Sequence, residues 1–424
     1  MIFCRSHGTE GSVRLRIIQR THFKAPWRSL VVALVALSCS AIAEAQTTPI
    51  SIKLGVLTDM AGPLSDAYGP GSLYAAQLAA EDARKWFPEA KIEIVSGDHQ
   101  NKPDVGAAIA RKWFETDHVD AVFDLVNTGV AIAVQGVARD HKKIDMWVSG
   151  ARTLAGKYCS PYSYNWSSDS YSLVNNAVSG VLRNGGKKWY FITTDYSGPK
   201  EMEEQAVSMI QAAGAQMVGH SLFPLGTNDF ASQLLTAQTS GATVFGLASA
   251  GADTINAIKQ AHEFGLLKGG RQLVVPSMFL NDIDALGLES AQSVVFSGSF
   301  YWDLNDETRA WSHRFFEKMR KMPSDTQGGI YTGVSHYLKA VQAARSTDSD
   351  AVMMKIREIP INDFHTRDGR VLQNGSVMRQ RLVFQVKGPD ESKGPWDYLK
   401  IIRTLTPDES APPPVGETGC PFAK

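Results

Sequence analysis

From Ile50 onward, short apolar runs alternate with stretches whose apolar residues recur every three or four positions. Ile52 to Leu57 has the character of a buried strand. After a Gly/Pro loop, Gly71 to Phe87 places Ala75, Ala76, Leu78, Ala79 and Ala83 on one helical face. The alternation continues with strand 91–95, helix 103–115 opened by Pro103, strand 119–126, helix 128–141 and strand 144–148. An aromatic, irregular stretch from Tyr158 to Trp166 interrupts it. It then resumes as helix 171–184, strand 188–193, helix 200–213, strand 216–223, helix 229–239, strand 243–248, helix 254–264 and strand 272–275. Strand–helix repetition of this kind builds parallel sheets covered by helices on both faces. Two runs separated by an irregular crossing predict an α/β fold of two doubly wound parallel-sheet lobes.

The last third reads differently. Helices are expected at 307–322 and 328–345 after the aromatic segment Phe300-Tyr301-Trp302, then two strands at 381–386 and 398–403. The turn signals Asp368-Gly369 and Asn374-Gly375 precede the first of them. This pattern predicts lobe 1 from residues 50–165 and 300–370, lobe 2 from 166–299 and 371–405, a three-segment hinge, and a tail at 406–424. The tail carries Pro412-Pro413-Pro414 and is expected to be extended.

The N-terminus has the layout of a cleaved export signal. Arg14, Arg16, Arg20, Lys24 and Arg28 precede the apolar run 30–37, and Ala43-Glu44-Ala45 matches an A-x-A cleavage site. The expected signal peptide is 1–45, which places the mature protein in the periplasm. Removing it leaves two cysteines, Cys159 and Cys420. In an oxidising compartment they are expected to pair as a disulfide tying the tail to the 157–161 turn, the alternative being two separate thiols.

Composition narrows the chemistry. Lys plus Arg and Asp plus Glu each number 43, so no net field draws the chain to nucleic acid. There is no G-x-S-x-G elbow, no G-x-G-x-x-G after the first strand, no H-E-x-x-H and no C-x-x-C, and the ten histidines are scattered. No catalysis, cofactor or metal is expected. His99 beside Asp98 is read as surface loop.

Several segments in order along the chain resemble the periplasmic leucine/isoleucine/valine-binding proteins of ABC importers, the type I periplasmic-binding fold. They are Ile52 to Pro63, Asp98 to Asp104, Thr193 to Gly198, Asn228-Asp229-Phe230 and Asp253 to Ala261. The resemblance implies a monomeric protein that closes on a small carboxylate ligand and docks on an inner-membrane ABC permease. Its runner-up is a periplasmic sensor passing a signal to a separate receptor. By position, Asn127 and Thr128 match one carboxylate-holding loop and Ser149, Gly150 and Ala151 the second. Helix starts there offer free N–H groups to an anion. Asn127 and Ser149 equally suit simple capping. Tyr196 matches the tyrosine that covers the ligand, Asp253 either contacts ligand or caps its helix, and Ser65, Asp66 and Tyr68 lie in a loop within reach. The family's amino-acid binders carry a glutamate after the strand equivalent to 272–275. Here Pro276 to Leu280 holds no acid before Asp282. That departure weakens an α-amino acid ligand, since a buried ammonium needs an anionic partner. Met278, Phe279, Tyr301 and Trp302 would form an apolar wall for a hydrophobic or aromatic acid, or else belong to the hinge core.

Overall fold

The first strand shows why the chain folds as it does. In β1 (Ile50–Thr58) alternate side chains enter different cores: Ile52, Leu54 and Val56 one, Leu57 the other. In β3 (Ala121–Leu125) Ala121 and Phe123 face one way, Val122 and Leu125 the opposite way. A strand apolar on both faces must be covered on both. α1 (Gly69–Ala83) covers one side, and α2 (Pro103–Glu115) with α3 (Thr128–Asp140) covers the other. With β2 (Ala90–Asp98), β4 (Ile144–Trp147) and β5 (Ser163–Asn165), these strands form a five-stranded parallel sheet in the order β2-β1-β3-β4-β5.

The computed structural model describes residues 49–167, 169–364, 366–411 and 418–423. The expected signal peptide and the Pro412-Pro413-Pro414 segment lie outside these residues.

The second half repeats the scheme. β6 (Lys188–Thr194), β7 (Gln216–Phe223), β8 (Val244–Ala248) and β9 (Gln272–Val274) form a parallel sheet in the order β7-β6-β8-β9. Trp189 and Phe191 of β6 pack under α4 (Ser170–Arg183) and α5 (Ser197–Ala212). Tyr190 and Ile192 meet α6 (Ala231–Thr239), α7 (Ala252–Glu263) and α8 (Leu280–Leu286), with α9 (Leu288–Ala291) beyond.

The fold is therefore α/β with two parallel sheets, and the last third adds to both halves. α10 (Asp306–Met319), α11 (Asp325–Ala344) and α12 (Ser349–Glu358) pack on the first core. β10 (Val295–Gly298), β13 (Arg381–Val386) and β14 (Leu399–Leu405) make an antiparallel sheet on the second. The ribbon of β11 (Arg370–Val371) and β12 (Val377–Met378) lies between them in sequence. Val371, the expected start of the return to lobe 2, packs with Val377 in the first core, and the chain enters the second core at Leu382. Apolar Val371 and Val377 are paired as a hairpin against the first half, which moves the crossing forward by about ten residues.

Where the chain passes between halves, buried arginines tie the strands together. Arg381 donates to the Ser167 carbonyl at 2.8 Å. Arg379 bonds Asp363 at 3.2 Å and stacks 4.9 Å over Trp166. Phe300 belongs to the first core, Tyr301 to the second, and Trp302 packs against both.

Burial also sets a pH dependence. Loss of water pushes Asp124, Asp145 and Asp282 up to about 7 and Asp253 up to about 6. It pushes His99 and His336 down to about 4, and His99, expected on the surface, is fully buried with Nδ1 accepting from the Asn101 N–H. The raised carboxyls hold protons in the folded chain that the unfolded chain has lost, so they cost stability as pH rises from about 4 to 7. The histidines act oppositely below about 6.5, where only the unfolded chain is protonated. Above that pH these two histidines no longer offset the carboxyls, and His141, raised by the Val137 carbonyl and Glu115, adds to their effect. The melting temperature is therefore expected to fall between pH 6 and pH 8; a thermal-unfolding series in matched buffers that rises over this range contradicts the assignment.

Candidate functional site

A cavity lies where the C-terminal ends of β3 and β4 face the N-terminus of α5 and the start of α8. Residues from both halves line it. About 90 Å³ is open to the centres of water-sized spheres, several times what one water needs.

Its polar floor starts at a bulge. Asp124 has φ 76°, and the β3–β4 register shifts beside it. Such a bulge re-aims a strand end, here just before the loop that starts α3. Asn127 then caps that helix, its side chain accepting from Gly129 N at 3.0 Å and Val130 N at 3.2 Å. Its side chain is spent on capping, and Asn127 is not among the lining residues. Thr128 is, and its Oγ1 stands 2.8 Å from Ser149 Oγ, which follows β4. Gly150 and Ala151 complete this wall, with Ala151 N at 3.4 Å from Ser149 Oγ. The N–H groups of Thr128 and Gly150 have no hydrogen-bond partner among the described residues.

Each hydroxyl can donate once. When one of the Thr128–Ser149 pair donates to the other, the second hydrogen is left for the cavity. With the two free amides this gives a cluster of neutral donors at a helix N-terminus, an arrangement suited to an anion.

From the second half, α5 brings Tyr196, Gly198, Pro199 and Met202 to the opposite wall. Gly198 is required there, because a Cβ on it would lie 2.5 Å from Thr128 Oγ1. Burial, with Asp253 adding to it, raises the Tyr196 hydroxyl above its ordinary range. Burial likewise raises Tyr68, helped by Asp124. Both phenols therefore stay protonated and can donate.

The remaining wall is apolar. Met278, Phe279, Tyr301, Phe296, Phe300 and Phe384 line it, and Tyr68 meets Phe279 edge-on at 5.6 Å between ring centres. No Lys or Arg is among the lining residues, and the one carboxylate is Asp325.

Several residues singled out in the sequence stand outside the cavity lining. Asp253 does not line the cavity: both its oxygens accept from Gly226 N at 3.1 Å, so it braces a loop from the start of α7. Trp302 does not line it either, since its indole N–H donates to the Trp396 carbonyl at 2.8 Å and its ring fills the joint between the two cores. Ser65 bonds Gly62 O and Asp66 pairs with Lys321, so of these three Tyr68 lines the cavity, together with Leu64 of the same loop. Asp282 accepts from Phe279 N at 2.9 Å and stays out of the cavity, whereas Asp325 enters from α11. Ser167, Ser170, Ser249, Ser277 and Ser297 also line the cavity and were not anticipated; single serines carry no periodic signal that would reveal them.

Hydrogen bonds at more than one edge bind the halves across the cleft. The Glu201 carboxylate of α5 accepts from the amides of Arg152 at 2.6 Å and Thr153 at 3.3 Å, and from Ser170 Oγ at 3.2 Å. At another edge Ala252 N, at the start of α7, donates to Pro63 O at 3.1 Å. Gly251 permits this approach with φ 61°, and a Cβ there would lie 2.4 Å from Pro63 O. The conformation is a closed one.

Below the donor wall, Cys159 and Cys420 form a disulfide with Cα atoms 5.6 Å apart. Among the described residues no group of side chains is placed to hold a metal ion, and no helix is long and apolar enough to cross a membrane.

A family model described as periplasmic binding protein matches residues 51–395. The crystal structure of a periplasmic binding protein from Burkholderia mallei is similar with a TM-score of 0.85 and 40% identity, covering 88% of this chain and 99% of that one. A branched chain amino acid ABC transporter periplasmic ligand-binding protein from Burkholderia xenovorans LB400 gives a TM-score of 0.77 at 37% identity, covering 88% and 100% of the two chains. Leu/Ile/Val-binding protein homolog 7 from Brucella suis biovar 1 is 26% identical over 364 residues, 79% of this chain and 88% of that protein.

Proposed function

The chain belongs to the periplasmic binding protein family, and from that premise we propose that it captures a small hydrophobic or aromatic carboxylate between its halves and presents the closed form to an ABC permease. It is a non-catalytic substrate-binding protein of the branched-chain-amino-acid transporter type.

One observation carries the choice of ligand. The paired Thr128 and Ser149 hydroxyls stand beside two unpartnered amides in a cavity lined by no Lys or Arg. Donors without a cation bind a carboxylate through several hydrogen bonds strengthened by the ligand's own charge. The aromatic wall of Tyr68, Phe279, Phe300 and Tyr301 then favours an apolar body. Closing turns the halves about the strands near 166, 300 and 380, and the Glu201 and Ala252 contacts hold the closed form.

The reading is tested by titrating the protein calorimetrically with benzoate, phenylacetate and 4-methylpentanoate, each beside its amide. At least one acid is expected to bind about tenfold or more tighter than its amide, because a hydrogen bond to a charged group contributes more than one to a neutral group. X-ray scattering should show the radius of gyration fall on binding. Equal affinity for acid and amide would remove the carboxylate from the reading.

A further inference from the structure

Phe300, which lines the cavity between the halves, meets Trp311 at 5.8 Å and Phe364 at 5.6 Å between ring centres, and both of these line a second cavity. About 470 Å³ of it is open to the centres of water-sized spheres. Its walls come largely from α10 and α11. They are aromatic: Trp311 packs on Tyr331 at 5.0 Å, and Tyr331 stacks on Phe364 at 5.4 Å. Apolar cavities of about 150 Å³ accept benzene, so an aromatic ring fits here.

A polar atom opens on this apolar space. His336 of α11 is buried, lines the cavity and packs 5.0 Å from Trp166. Its Nε2 donates to the Ile356 carbonyl at 3.0 Å, and burial keeps the ring uncharged at neutral pH, so Nδ1 is an acceptor. Nδ1 meets no donor among the described residues, and unlike the indole Nε1 of Trp311 it is not sealed off. The charges around the cavity are committed elsewhere: Arg314 to Asp82 at 2.7 Å, Asp363 to Arg379 at 3.2 Å, and Glu307 to Arg367 at 3.6 Å. Lys339 is exposed. A ring without a donor would strip water from Nδ1 and leave it unpartnered, which costs free energy.

The same walls grip each crossing between the halves. Trp166 is itself in the first crossing, Trp311 and Phe364 meet Phe300 in the second, and Asp363 holds Arg379 in the third. We propose that this cavity is a second binding site, for an uncharged aromatic molecule bearing a hydroxyl or N–H donor, and that filling it favours the closed arrangement. His336 Nδ1 accepts from the donor, and the Trp311, Tyr331 and Phe364 rings enclose the body. A ligand that packs against the walls as they stand here contacts them best in this closed geometry, and that difference in contact shifts the balance of conformations. The coupling, though not the site, rests on the reading that the halves close on an acid.

Fluorine NMR of 4-fluorophenol and 4-fluoroanisole with the acid-free protein reads the site directly. The phenol is expected to bind about fivefold or more tighter than the ether, which has no donor. Ala310 is an exposed residue of the lining, so Ala310→Trp fills the space from its surface and should abolish binding of both. His336→Phe should bring the two ligands to within about twofold. No binding of the phenol, equal binding of the ether to the wild type, or binding that survives Ala310→Trp would overturn the site, whether or not acids bind between the halves. Should His336→Phe fail to fold, the ether comparison and Ala310→Trp decide. X-ray scattering reads the coupling: 4-fluorophenol should lower the radius of gyration of the wild type and leave that of Ala310→Trp unchanged. A phenol that binds without this change, in a protein that does contract on its acid, overturns the coupling. A protein that contracts on neither fails the closure reading and takes the coupling with it, while the NMR result decides the site on its own.

Discussion

Removing both hydroxyls in a Thr128→Ala/Ser149→Ala variant is expected to weaken acid binding by about tenfold to a hundredfold while the empty protein melts almost unchanged. The two halves of this expectation have separate causes. Thr128 Oγ1 and Ser149 Oγ bond each other at 2.8 Å, and Ser149 Oγ otherwise takes only the long contact from Ala151 N. Deleting both partners of a buried hydrogen bond leaves nothing unsatisfied and is close to neutral, whereas deleting one strands the other. The bound acid, in contrast, loses contacts to a charged group, each worth about 1.5–3 kcal/mol. Since the pair leaves one hydrogen for the ligand, the loss corresponds to roughly one to two powers of ten in affinity. The single variants sharpen the argument. Either remaining hydroxyl can rotate toward the ligand, so each single change should cost less than half the double change in free energy. Calorimetry on all four proteins, with melting curves in the absence of ligand, gives the cycle. Unaltered affinity in the double variant would take both loops out of the site.

The parts of the fold legible beforehand are those where burial imposes a period. β13 and helix α2 begin and end where the pattern places them, because β13 is buried along almost its whole length and α2 opens at Pro103, and β7 keeps its expected bounds as a largely exposed edge strand. β5, β10 and the β11–β12 ribbon were not expected: they are two to four residues long and lie outside the strand–helix alternation that marks the equally short β4 and β9. α12 was not expected, although Val352, Met353 and Ile356 are buried and Asp348 caps its start.

The site divides the same way. Thr128, Ser149 and Tyr196 follow sheet strands, and in a doubly wound sheet strand ends already mark where a ligand sits. Asn127 and Asp253 share that placement, and only coordinates separate a side chain turned back onto its own backbone from one turned into the cavity. Ser297 and Asp325 come from the crossings between halves. Their place in the same cavity as Thr128 depends on how the last third folds back, which no local pattern encodes.

Breaking the Cys159–Cys420 link is expected to cost about 2–4 kcal/mol of stability and to loosen the ligand site as well. The bond joins residues 261 apart in sequence, so it constrains a very long loop in the unfolded chain. Chain-entropy arithmetic for a loop of that length gives about 5 kcal/mol. The folded state recovers part of this when the bond is cut, because residues 418–423 meet the 157–161 turn through a small cluster of Cys159, Cys420 and Ala423 and gain freedom on release. The site is affected through connectivity. Cys159 N bonds Gly156 O, Tyr158 N bonds Thr153 O, and a Cβ on Gly156 would lie 2.6 Å from Thr418 O, so the tail packs directly on the loop that begins at Arg152. That loop offers its Arg152 and Thr153 amides to Glu201 and continues from the Ser149–Ala151 wall. A Cys159→Ser/Cys420→Ser variant should therefore melt lower and also release bound acid faster, with the association rate little changed. A variant lacking only the tail cysteine should behave the same way. Stopped-flow release rates equal to the wild type's, alongside a lowered melting point, would confine the disulfide to holding the fold and leave the cleft contacts independent of it.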